Sequence, residues 1–423
     1  MQKQTIIIIG GGASGLLAAN KLAGKCQVIL LEAKERLGGR ICSKTIPYSL
    51  QVIETGAEFI HGHQKLTLKL LKKAGIKYKP VEGSMYYKEN GKLQKQTEMI
   101  KDWDALMRKM KKVKKDISLY DFLQKYFASD KYTALRRQAI NYAQGFDLAD
   151  IKVASVRALY KEWQNEEQDN FRLPQGYGAL IDFLKEACIH KGCTILTGKK
   201  VNHVEWQKNA VTVHTINNET FTGNKLIVTT PIHLLATSSG TCSIKFTPSL
   251  EEYTRAAANI GMGEVIKVII VFKKLFWPAA MGFVFSNEIF PTWWTQSTSE
   301  YMLTGWVGGT SAVQLKHQND ETILQKAIAS LSAIFNLTED DIKNNITQAI
   351  VCNWQNEAHG LHGYSYSTLY SKEARAVLNT PVDNTIFFAG EGLYEGKSPG
   401  TVEAALVTGK QVAKKIRKTL FNR

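Results

Sequence analysis

The chain has 423 residues and a mass of 47.3 kDa, past the size at which one hydrophobic core stops growing, so two packed domains are expected. Its 44% apolar and 22% charged residues exclude a disordered or fibrous protein. The formal charge of +16 raises the question of nucleic acid, which the densest basic run, Arg108 to Lys115, answers in the negative. Leu106, Met110, Val113 and Ile117 recur through that run at helical spacing, so its cations read as the wet face of an amphipathic helix without aromatics for base stacking.

Along the chain, Thr5 to Ile9 is a β-branched run apolar on both faces, which suits a central parallel strand. It and Val265 to Phe272 are the longest apolar stretches, too short to span a membrane, and the second contains Lys267. The first strand begins at once, leaving no room for a leader, and Cys26, Cys42, Cys188, Cys193, Cys242 and Cys352 are scattered without paired spacing or a matching histidine cluster. A cytoplasmic protein with reduced thiols, no disulfide and no metal is therefore expected. Gly10, Gly12 and Gly15, with Ala13 and Ser14 between them, follow the first strand at the spacing of a dinucleotide fingerprint, and Gly15 to Leu22 reads as a helix. The first glycine permits a tight turn, the second lets backbone approach a pyrophosphate, and the third lets the helix press on the strand. A second strand, Gln27 to Leu31, ends at Glu32, where a carboxylate can accept both ribose hydroxyl protons and disfavours a 2′-phosphate.

Downstream, Glu32-Ala33-Lys34-Glu35-Arg36-Leu37-Gly38-Gly39-Arg40 resembles the second FAD signature of the flavin amine oxidase superfamily, of monoamine oxidase and polyamine oxidase type. The resemblance implies that Ala33, Gly39 and Arg40 join the cofactor site, with Arg40 able to fork two phosphate oxygens. Glu54 to Gly62 is similar to the segment that passes the flavin ring, most closely in its polyamine oxidase version, which implies contacts from Gly56, Ala57, Glu58 and Phe59. His61 matches the active-site histidine of polyamine oxidases, although a histidine between glycines equally suits a loop that caps backbone. Arg172 to Leu180 resembles the return from substrate domain to flavin domain. Val201 then falls where the family pairs backbone with adenine, although an ordinary strand residue would leave the same mark, and Thr230 closes the strand that ends at Pro231.

Lys267, interrupting an apolar strand, matches the lysine that many flavin amine oxidases hold through a water against flavin N5. Asn353 to Tyr364 aligns with the segment that brings Trp354 to the cofactor and Tyr364 to the substrate as an aromatic wall. Monoamine oxidases carry their flavin-linked cysteine just before that tyrosine; here Gly363 stands there, which implies non-covalent FAD. Ile386 to Gly392 resembles the last strand of the family, with Gly390 and Glu391 at the ribityl chain. Gly400, Thr401 and Val402 then open a helix whose start faces the flavin pyrimidine. Thr401 replaces the second cage tyrosine, as in flavin-dependent histone demethylases, which admits bulkier or more polar amines.

The fold implied is α/β, α+β overall: a Rossmann-like FAD-binding domain over 1–80, 175–250 and 355–423, and a discontinuous substrate domain of mixed sheet and helices over 81–174 and 251–354. The chemistry implied is oxidation of an amine to an imine by hydride transfer to flavin N5, with O2 as acceptor giving H2O2. Lys267, Tyr364, His61 and Thr401 are the catalytic candidates. Acids at Glu58, Glu162, Glu166 and Glu167 could steer a cationic substrate. A flavin desaturase or porphyrinogen-type oxidase, an amino acid oxidase and a non-enzymatic FAD scaffold remain as alternatives.

Overall fold

The computed structural model describes residues 3–46, 52–89, 91–95, 102–165, 169–236, 243–296, 301–356 and 360–421. They form two compact units, one from Met1–Lys79, Lys161–Gly261 and Ala358–Arg423, the other from Pro80–Tyr160 and Met262–Glu357. Among the described residues no helix is long and apolar enough to cross a membrane.

The first unit is built on a five-stranded parallel sheet in the order Thr194–Leu196, Gln27–Leu31, Thr5–Ile9, Lys225–Val228, Ile386–Phe388. Thr5–Ile9 lies third of five, which is why it is apolar on both faces: Ile6, Ile7 and Ile8 are fully buried. The helix after it runs Ala13–Leu22, starting two residues earlier than its sequence pattern, and every residue except Lys21 is buried. The final helix, Val402–Phe421, packs along it, and a Cβ on Gly409 would collide with the Ser14 carbonyl. Val402, Leu406, Val412 and Ile416 bury its inner face.

A second, four-stranded sheet of this unit runs Thr220–Gly223, Ala210–Thr215, Val201–Gln207, Lys245–Thr247. Val204, Val211, Val213 and Phe246 point inward, so the opposite side faces solvent by period-2 alternation. Two short strands, Phe59–His61 and Asn170–Arg172, pair antiparallel with Phe59 opposite Arg172 and His61 opposite Asn170.

The second unit is organised by a seven-stranded sheet in the order Ile346–Asn353, Val265–Phe272, Met302–Gly308, Thr292–Thr295, Met281–Phe285, Ser84–Glu89, Lys92–Lys95. Ile266, Val268, Ile270, Leu303, Val307 and Trp293 cover one face and pack against the helix Asp320–Phe335 through Ile323, Ala327, Leu331 and Ile334. Register places Lys267 on the other face, beside Trp306 and Cys352. The basic run departs from expectation. Its helix, Trp103–Lys111, buries Leu106 and Met110 but stops before Val113 and Ile117, while Arg108, Lys109, Lys111, Lys112, Lys114 and Lys115 are all exposed. Cys26, Cys42, Cys188 and Cys193 are free, buried thiols and Cys352 is half-buried; Cys242 lies outside the described residues.

Candidate active site

The turn after the first strand has little room for side chains. A Cβ on Gly15 would run into the Gly10 carbonyl oxygen, so helix and strand meet at backbone distance. The Thr229 hydroxyl lies 2.9 Å from the carbonyls of both Ile9 and Gly10 and fixes the turn from the neighbouring strand. At Gly12 the nearest atom to an added Cβ is the Gly38 oxygen at 3.9 Å, and at Gly39 it is the Gly12 Cα at 3.8 Å. Gly12 and Gly39 thus face each other with no side chain between, held by the Gly38 N–H donating to the Gly11 carbonyl at 2.9 Å. Gly12 is the N-cap of the Ala13–Leu22 helix and offers no capping side chain, so the N–H groups of Ala13, Ser14 and Gly15 open onto this cleft. A backbone-lined cleft at a positive helix end fits a pyrophosphate.

Glu32, 8% exposed, accepts the Gly11 N–H at 2.6 Å on one carboxylate oxygen and the Lys34 N–H at 2.9 Å on the other. Each oxygen keeps a lone pair for a ribose hydroxyl. Ala33 follows, half-buried. Arg36, which the sequence reading passed over, grips the double-glycine turn by donating to the Ile41 carbonyl at 3.1 Å and the Gly39 carbonyl at 3.0 Å. Arg40 donates from Nη1 to the Gly363 carbonyl at 2.6 Å and to Glu391 at 2.8 Å. Glu391 also accepts the Ser365 hydroxyl at 2.7 Å. The two residues expected at phosphate and ribityl chain are thereby an ion pair, 25% and 6% exposed, that joins three chain segments.

Gly56 and Ala57 follow the strand Val52–Glu54, and the Ala57 N–H donates to the Arg40 carbonyl at 3.1 Å. Glu58 is 3.1 Å from the Arg172 guanidinium, which lies 4.7 Å above the Phe59 ring. Burial lowers the Arg172 pKa, and the Glu58 carboxylate opposes the shift. His61 Nδ1 is 2.6 Å from Asn170 Oδ1, so with the amide oxygen as acceptor the proton sits on Nδ1. Burial lowers the imidazole below its ordinary range, against the raising effect of that hydrogen bond, and keeps it neutral. Of the acids read as a funnel, Glu58 is committed to Arg172, and the Glu162 carboxyl is pushed up to about 7 by burial, with Arg375 opposing. Glu166 and Glu167 lie outside the described residues.

Tyr364 is half-buried against Gly400, where a Cβ would come within 2.9 Å of its ring. Thr401 has a local duty that sequence comparison hides. Its hydroxyl donates to the Ser398 carbonyl at 2.7 Å and accepts the Ala404 N–H at 3.2 Å, capping the final helix just before Val402. Glu403, one residue into that helix, accepts the N–H groups of Leu66 at 2.9 Å and Thr67 at 2.7 Å, and so also caps the helix Lys65–Ala74. Gly390 donates its N–H to the Thr408 hydroxyl at 3.1 Å. Thr230 sits in the bend after Lys225–Val228, and Val201 begins its strand 6% exposed.

In the second unit Lys267 is 1% exposed, with Nζ 5.5 Å from the Trp294 ring centre, inside cation–π range. Trp294 and Trp306 lie 6.0 Å apart, Phe283 is 6.1 Å from Trp294, and the Trp306 indole donates to the Gly145 carbonyl at 2.7 Å. The buried ammonium is thus set in an aromatic face, which no contiguous motif announces. Trp354, 7% exposed, forms a short 3-10 turn with Gln355 and Asn356 in the same unit.

The chain is 27% identical to Polyamine oxidase 2 of Arabidopsis thaliana over 99% of its own length and 89% of the relative's. It is 24% identical to human Lysine-specific histone demethylase 2 over 98% of its length, but spans 53% of that relative. Its fold matches a solved Putrescine Oxidase bound to putrescine with TM-score 0.82 at 19% identity, covering 98% of this chain and 99% of the other. The match to Cyclohexylamine Oxidase from Brevibacterium oxydans IH-35A has TM-score 0.83 at 18% identity and covers all of both chains. The model of the flavin containing amine oxidoreductases matches residues 13–417, a span that includes Arg40, the buried Lys267 and Tyr364. The chain therefore belongs to that family, and it is a flavin-dependent oxidoreductase acting on amines.

Proposed function

We propose that the flavin is FAD, bound without a covalent link, and that the substrate is a small amine of polyamine type oxidised with O2 as acceptor. The observation that carries the cofactor reading is the cleft in which Gly12 faces Gly39 at an uncapped helix start, with the Glu32 carboxylate one residue from the turn. Gly363 in place of a cysteine supports a non-covalent link, because a glycine has no side chain to form one. The first unit then binds FAD, and Lys267 with its aromatic face is the candidate chemistry of the second.

When bound, FAD supplies the electron-accepting ring. Gly10, Gly12, Ala13, Ser14 and Gly15 would hold its pyrophosphate by backbone and Glu32 its ribose, while Arg40 and Glu391 are an acid–base pair available to its polar chain. Tyr364 offers the substrate an aromatic wall that excludes water and favours the uncharged amine, the form able to give up a hydride. His61, whose imidazole burial holds below its ordinary range, can accept a hydrogen bond from the amine at Nε2. Lys267 Nζ holds protons that can position a water at the reacting face. The polyamine reading is supported by the first relative's name and by Thr401, whose short side chain leaves one side of the cage open. The free, buried thiols of Cys26, Cys42, Cys188 and Cys193 support a reducing, cytosolic setting.

Anaerobic mixing of the yellow protein with monoamines, diamines, polyamines, amino acids and N-methylated peptides tests this. Bleaching of the flavin band by diamines or polyamines is expected. Bleaching by amino acids alone would replace the substrate class, and colourless protein that takes up no FAD would overturn the cofactor reading.

A further inference from the structure

The solvent side of the four-stranded sheet carries a cluster with no part in flavin chemistry. His203 and Glu205 lie two apart on one strand, and His214 stands opposite His203 on the next. A bulge between Val201 and His203 sets this register, so that His203 rather than Asn202 faces His214. The imidazoles stack with centroids 5.4 Å apart. His203 Nδ1 is 3.9 Å and His214 Nε2 is 3.7 Å from the same Glu205 oxygen, and all three donor atoms lie within 4.8 Å of one another.

The outer nitrogens of both rings are already taken. His203 Nε2 is 2.9 Å from the Thr247 hydroxyl, and His214 Nδ1 is 3.4 Å from the Thr220 hydroxyl. Each threonine turns the remaining nitrogen toward Glu205, the arrangement in which an outer hydrogen bond orients a ligating imidazole. His214 Nε2 is shielded from solvent and lacks a hydrogen-bond partner. A buried ring nitrogen without a partner costs free energy unless something binds it.

We propose that His203, Glu205 and His214 bind one divalent transition-metal ion of zinc type. Bonds of about 2.0–2.2 Å at tetrahedral angles separate neighbouring donors by roughly 3.3–3.5 Å, so the observed spacing needs side-chain shifts of well under an ångström per contact for the two pairs that share Glu205. Two imidazoles and one carboxylate select zinc, nickel or copper over magnesium and calcium. Lys245, in register with His203, is exposed and free to swing away, and charge elsewhere on the +16 molecule is screened beyond roughly 10 Å at ordinary ionic strength. The ion would staple two adjacent strands of the first unit and leave a fourth position for water. This departs from the expectation of no metal, because only strand pairing brings residues nine and eleven apart in sequence together.

The test is calorimetric titration of chelator-stripped, FAD-loaded protein with zinc chloride, against His203→Gln, His214→Asn and Glu205→Gln. Wild type should take up one equivalent more than either histidine variant, whose affinity at this site should fall by at least about 100-fold; Thr247→Val should lose roughly tenfold, as for an orienting partner. Equal zinc uptake by wild type and by the His203→Gln/His214→Asn double variant would overturn the site, as would no uptake by wild type at about 0.1 mM zinc. Flavin content reports folding of each variant. Should the histidine variants lose flavin, Glu205→Gln decides alone, since that carboxylate is 55% exposed and outside the core.

Discussion

The glycine turn of the first unit and the aromatic sheet face of the second are opposite kinds of surface. At Gly12 and Gly39 the chain offers bare backbone, and specificity comes from the absence of side chains. Around Lys267 it offers rings and one ammonium on alternate residues of a sheet whose other face is core. A backbone site tolerates almost no added atom, whereas a side-chain face tolerates substitution and changes its chemistry. Binding of the common cofactor is thus expected in the intolerant region, and choice of substrate in the adaptable one.

Gly15→Val should produce the largest effect. Helix and strand cannot stay in contact around a side chain there, and FAD affinity should fall by more than about 100-fold, roughly 3 kcal/mol, in a flavin-retention assay. Full retention would break the comparison, because the turn would then tolerate side chains. Lys267→Met sharpens it from the other side: flavin reoxidation by O2, followed by stopped flow, should slow by about 100-fold, the usual worth of one positioned donor, with FAD affinity unchanged. An unchanged oxidative rate would remove Lys267 from the reaction.

His233 gives an intermediate effect. Burial first, then the nearby His362 and Arg40, lower its pKa from 6.5 to about 3, and its ring lies 4.4 Å from that of His362. The folded state resists protonation while the unfolded chain accepts it near 6.5, so this stability is present above that pH and is lost as pH falls toward 3. Between pH 7 and pH 5 the loss should be about 2 kcal/mol in urea unfolding, and His233→Gln should flatten that slope. Thr401→Ala should have the smallest effect, about 1 kcal/mol from the lost helix cap. A change in amine preference much larger than that stability loss would show that Thr401 also shapes the substrate space.

The first strand, the glycine turn, the following helix and Glu32 were legible because local rules dictate them: β-branched residues in a buried strand, glycines where backbones touch, an acid at the next strand end. Lys267 was legible as an anomaly, a cation inside an apolar strand. Trp294, Trp306 and Phe283 were not, since their nearness depends on pairing between strands distant in sequence. Thr229, Arg36 and Asn170 escaped for a related reason. Each supports its neighbours through hydrogen bonds of a single side chain, and a single polar residue has no periodicity to betray it. Arg36 lies inside the quoted signature, where its contacts with the two-glycine turn could have been asked for. The basic run was read too long because Val113 and Ile117 continue a helical spacing that the backbone abandons after Lys111.

The carboxylate of Glu403 ties the last long helix to residues 66 and 67, more than three hundred positions earlier. Synthesis therefore reaches that helix more than three hundred residues after the segment it caps. Until then the amino-terminal layer lacks both the acid that closes its second helix and the surface that presses on Ser14. The glycine turn between Gly10 and Arg40 is therefore completed by a helix made long after it.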